Sequence, residues 1–95
     1  MKNPTIYNLR KEMKFKCRLT HKRYLKSGEL MSMYDIRQKK LQNLIHPMGG
    51  FSYLEVTTPK GNNYTISSYC NKKDSFNHKI ALNILVGRLM KEIAP

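Results

Sequence analysis

From residue 13 to residue 22 the chain alternates. Met13, Phe15, Cys17, Leu19 and His21 are separated by Lys14, Lys16, Arg18, Thr20 and Lys22. Period two is the side-chain repeat of a β-strand, so the apolar set turns to a core and the cations share the other face, about 6.7 Å apart. Arg23 and Lys26 follow, and Arg10 and Lys11 come just before. Such a row suits phosphates, because each one neutralised releases counterions. Tyr7, Tyr24, Tyr53 and Tyr69 add π-faces on which unpaired bases can stack. A solvated face kept charged for solubility would show the same row, and an acidic protein surface would select it equally. The charge balance favours binding: 18 Lys/Arg against 6 Asp/Glu give a net charge of +12, which attracts polyanions. Twelve of the cations and three of the acids fall in residues 1–50, so the basic surface belongs mainly to the first half.

A second candidate lies further on. Lys72 and Lys73 precede a stretch expected to be helical from Asp74, and a helix N-terminus favours an anion. Arg88 and Lys91 lie along the same helix. The competing reading is a short loop with solvated lysines.

Metal and nucleophile chemistry are weaker readings. Cys17, His21, Cys70 and His78 are the candidate ligands, but no Cys-x-x-Cys or His-x-x-x-His spacing occurs. Zinc needs three or four converging ligands, and Cys17 and His21 stand about 13 Å apart on a strand. Cys70, Asp74 and His78 resemble a nucleophile with its base, yet no glycine-rich nucleophile turn accompanies them. Both cysteines read as small core residues and Asp74 as a helix N-cap. No metal, cofactor or catalytic set is expected, and the chain reads as non-enzymatic.

These residues need elements to position them. The longest apolar-periodic stretch is residues 74–93. Leu82, Leu85, Val86, Leu89 and Ile93 share one helical face, and Phe76, Ile80 and Ile84 form a second stripe. A helix apolar on two sides predicts a central element with partners on both. Residues 51–58 and 63–70 are rich in β-branched and aromatic residues, with Pro59, Lys60, Gly61 and Asn62 between them, which predicts a hairpin. Leu54, Val56, Tyr64, Ile66 and Cys70 should face its core, and Tyr53, Glu55, Thr65, Ser67 and Tyr69 its other side. Residues 29–46 carry a helical stripe of Leu30, Tyr34, Leu41, Leu44 and Ile45, with Ser32 and Asp35 spaced as a capping box. A strand over residues 30–36 competes there. Residues 1–12 form a short helix or an arm. The sum is one α+β domain: about three antiparallel strands in one layer and two helices in the other, the C-terminal helix central. Ninety-five residues leave no room for a second core.

The start of the sequence has no apolar leader and no run reaches transmembrane length. A cytoplasmic protein with free thiols is expected, or one with a Cys17–Cys70 disulfide if both fall in the same core.

The stretch from Tyr69 to Arg88 carries a further pattern. Cys70, Lys73, Asp74, Phe76, His78, Lys79 and Ile80 are followed by Gly87-Arg88. This resembles small phage and prophage accessory proteins, in which a hairpin leads into Cys-x-x-(Lys/Arg)-Asp-x-Phe-x-(Arg/His)-Lys-Ile and then a helix. The resemblance covers roughly residues 51–91, with His78 where Arg is usual and Ala81 where Gly is usual. It implies a small accessory protein of a mobile element. Such proteins often disable host defence, CRISPR nucleases included, by stoichiometric binding. The expected partner is nucleic acid or a nucleoprotein complex, or alternatively an acidic host protein, with no membrane involved. The residues expected to carry it are Lys14, Lys16, Arg18, Lys22, Arg23, Lys26, Lys72, Lys73 and Arg88.

Overall fold

In the computed structural model, which describes residues 4–93, Thr5 opens the first helix, α1 (Ile6–Lys11). The Thr5 side chain accepts from Asn8 N at 3.1 Å and Asn8 Oδ1 accepts from Thr5 N at 2.9 Å. This reciprocal capping box satisfies two free donors and lets six residues hold a helix. Of the two expectations for residues 1–12, the short helix is the one formed, within the described residues. Its Leu9 is fully buried.

Lys14 then takes a φ of 58°, and the first strand, β1 (Lys16–Tyr24), starts two residues later. The alternation sorts as expected. Lys16 and Arg18 are exposed, while Cys17 and Leu19 pack against the core.

Residues 29–46 differ from the single helix expected. Leu30–Ser32 form β2, Met33–Gln38 form α2, and a 3-10 turn covers Gln42–Leu44. Ser32 pairs with Lys22 and Leu30 with Tyr24, so backbone groups that a helix would have used complete a ladder on β1. Ser32 is still the N-cap: its Oγ accepts from Asp35 N at 3.1 Å. Lys40, at φ 56°, stops the helical path. Both competing readings hold a part of the truth, the strand before Ser32 and the helix after it.

The hairpin is β3 (Met48–Thr57) and β4 (Asn63–Ser75), closed by Thr58 N to Asn62 O and Gly61 N to Thr58 O, both at 2.9 Å. The sheet order is β2-β1-β3-β4, antiparallel throughout. The α+β class holds, and the described residues form four strands rather than about three, and three α-helices rather than two.

The last helix, α3 (His78–Ile93), begins three residues later than a cap at Asp74 would give. Asp74 is not its cap but an exposed residue of β4. Met48 pairs with Ser75, and Phe76 N donates to Pro47 O at 3.1 Å, so the chain stays bound to β3 until Phe76. Asn77 takes the capping role: its Oδ1 accepts from Lys79 N at 2.9 Å and Ile80 N at 3.1 Å.

Leu9, Leu54, Val56, Ile66, Leu85, Val86 and Leu89 form one buried cluster. Each large side chain removed from water there contributes about 1.5–3 kcal/mol. The layers are thus α3 and α1 on the inner face of the sheet. Among the described residues the second stripe of α3 finds no second partner layer: Ile80 is 61% and Ile84 40% exposed. The helix is packed on one side, not two. No described helix is long and apolar enough to cross a membrane.

Candidate functional site

The pairing register lays out the sheet's outer face. Lys16 stands opposite Thr57, Arg18 opposite Glu55, Thr20 opposite Tyr53 and Lys22 opposite Phe51. One strand further, Phe51 meets Tyr69, Tyr53 meets Ser67, Glu55 meets Thr65 and Thr57 meets Asn63. The face therefore has two columns. Lys16, Arg18 and Lys22 run down β1, and Phe51, Tyr53 and Tyr69 occupy β3 and β4. Adjacent strands lie about 4.8 Å apart, so the columns are neighbours. Phe51 and Tyr69 pack with ring centroids 4.7 Å apart, and Lys22 Nζ sits 5.4 Å from the Tyr53 ring centre. Tyr69 is 50% exposed. α1 and α3 belong to the inner-face core, and the outer residues Lys16, Arg18, Glu55, Thr65, Ser67 and Tyr69 are left exposed.

Lys72 extends this face. Between Gly50↔Cys70 and Met48↔Ser75 the ladder slips, so β4 bulges away from β3. Lys72 is in the bulge, and its Nζ lies 4.7 Å from the ring centre of Tyr24, the last residue of β1. Tyr24 shares the face of Lys22, two residues before it. Gly49, at φ 76°, makes the meeting possible: a Cβ there would come within 3.1 Å of Lys72 Cα and 3.2 Å of the Tyr24 ring. The two sites read separately in the sequence, the β1 row and the lysines near residue 72, are thus joined through Lys72. Lys72 and Lys73 do not flank a helix N-terminus as expected, because the bulge and Asn77 intervene.

The other expected residues are placed differently. Lys14 is exposed in the turn before β1. Lys26 is exposed beyond its end, and Lys73 is exposed in the bulge, with its N bonded to Asn71 Oδ1 at 2.9 Å. Arg23 alternates to the inner face, where its guanidinium stacks 4.4 Å over Phe76 and Nη2 donates to His46 O at 3.2 Å. Arg88 donates Nη1 to Ser67 O at 2.6 Å, tying α3 to the edge strand. Arg10 donates to Cys17 O at 2.9 Å. Arg23, Arg88 and Arg10 thus hold internal partners. Phe51 was missed as a platform residue, although its two-residue spacing from Tyr53 puts both on one face of a strand.

A second cluster lies on the inner face. His21 Nδ1 is 2.6 Å from Ser52 Oγ, and its ring meets Phe76 and His78 edge-on at 5.5 and 4.6 Å. Gly50 admits Phe76 here, since a Cβ on it would meet the ring at 2.8 Å. Burial, then His78 and Arg23, pushes the His21 pKa down to about 4. His78 is lowered by partial burial, Arg23 and Arg37. Burial lowers Arg23 as well, and its Nε is buried without a hydrogen-bond partner. Cys17 and Cys70 are free, the Cys17 thiol raised by burial despite Arg10. Among the described residues no three His, Cys, Asp or Glu side chains gather as a metal site would require. The cluster is cationic, aromatic and tightly packed, and its chemistry is that of a folded junction between β1, β3 and α3.

No protein-family model, no curated protein and no solved structure matches the chain.

Proposed function

We propose that the protein is a non-enzymatic binder of nucleic acid, acting by occupancy through the outer face of its sheet. The observation that supports this reading is the register. It sets Lys16, Arg18 and Lys22 in a column beside Phe51, Tyr53 and Tyr69 on a face left open, with Lys72 at one end. Cations supply the attraction to phosphate, and the four-stranded sheet holds them in fixed register. The net charge of +12 draws the polyanion in from a distance. Covering the nucleic-acid path of a host defence effector is the use that the phage resemblance implies for such a face.

The test is a salt titration with the double variant Lys16→Glu/Arg18→Glu. Affinity should fall steeply with salt, and the variant should flatten the log–log slope by about 1.5–2, two phosphate contacts' worth. Arg88→Glu, on the far side of the edge strand, should leave the slope unchanged. Binding that ignores both salt and the double variant would move the partner to a protein surface.

A further inference from the structure

We infer that this face is built for unpaired nucleic acid, with the phosphate track along β1 and the bases over Phe51, Tyr53 and Tyr69. The inference rests on the nucleic-acid reading above and adds the strandedness of the ligand and its direction across the sheet.

Three features carry it. The first is the aromatic column itself. Folding usually hides large aromatics, yet Tyr69 is half exposed on the solvent side and packs at a tilt against Phe51, with ring centroids 4.7 Å apart. In a duplex the base faces are stacked on one another and have none to offer. Unpaired bases do, and each base stacked on an aromatic ring contributes substantially whatever its sequence. The second is shape. A duplex groove admits a helix or a two-stranded ribbon, whereas this surface is a four-stranded sheet with α1 and α3 packed on its opposite side and α2 against β1 and β2. The third is the order of the columns. Cations lie on β1, Phe51 and Tyr53 one strand away, and Tyr69 two strands away, about 4.8 and 10 Å across. A nucleotide's sugar bridges a gap of that kind between phosphate and base. Glu55, across from Arg18, repels a phosphate track from the middle of β3. That leaves β1 for the backbone. Thr20, Thr65 and Ser67 flank the rings with hydroxyls able to meet base edges.

The experiment compares a labelled single strand with the same sequence annealed to its complement, using the full chain and the variants Tyr53→Leu and Tyr69→Ala. The chain contains six Tyr and no Trp, so tyrosine emission is a direct second readout. The single strand should bind at least about 10-fold tighter than the duplex and quench tyrosine emission. Each variant should weaken single-strand binding about 5- to 100-fold and leave duplex binding unchanged. Tyr69 is exposed on an edge strand, so its replacement should fold normally, and circular dichroism checks this. Equal or tighter duplex binding, or tyrosine variants that bind like the parent, would overturn the inference while leaving nucleic-acid binding intact. Absence of salt-sensitive binding to either polymer would instead overturn the reading beneath it.

Discussion

His21 shows how one side chain joins packing to pH. It alternates inward with Cys17 and Leu19, bonds Ser52 and meets the rings of Phe76 and His78, and it has a titratable neighbour in His78 and a cationic one in Arg23. Its ordinary pKa of 6.5 drops to about 4. The unfolded chain therefore takes up this proton first. The stability that the neutral ring contributes is present above about pH 6.5, falls as the pH drops from there, and is gone below about 4. The ring is only partly buried, so screening limits the loss to about 1–2 kcal/mol. Thermal unfolding across this window should show the decline, and His21→Gln should flatten it. An unchanged decline in the variant would assign the effect to other groups.

At the level of elements, the start of α3 is the informative case. Asp74 has the right chemistry for a cap, and nothing local distinguishes it from Asn77. The pairing of Ser75 with Met48 and the bond from Phe76 N to Pro47 O decide between them, because they keep residues 74 and 75 in the sheet. Asn77→Ala should therefore cost about 1 kcal/mol, and Asp74→Ala should stay within about 0.5 kcal/mol of the parent. Urea unfolding of the pair checks this, and a larger cost at Asp74 would put the helix start back where local signals point. The same contest explains residues 29–46. Their apolar spacing fits a helix, but Leu30–Ser32 complete the ladder on β1, and only Met33–Gln38 remain helical.

Charge governs the molecule as a whole. A net charge of +12 on 95 residues stores self-repulsion, which salt screens over about 10 Å at 0.1 M. Added salt should raise the melting temperature while it lowers affinity for nucleic acid. A melting temperature that falls with salt would mean that attractive pairs outweigh the repulsion. Much of this molecule follows from local pattern alone. Period-two alternation identifies β1 and sends Lys16, Arg18 and Lys22 outward. β-branched and aromatic runs around Gly61 identify the hairpin and the inner faces of Leu54, Val56 and Ile66. Helical periodicity identifies the buried face of α3, and composition sets the charge. Tertiary structure decided what depends on residues distant in the chain. It made β1 the neighbour of β3, which puts the cations beside Phe51, Tyr53 and Tyr69. It brought Lys72 to Tyr24 across Gly49. It turned Arg23 inward and gave Arg88 a carbonyl partner. Side-chain repeats report which way a residue points from its own strand, whereas strand order and register are set by which pairings bury the most apolar surface together.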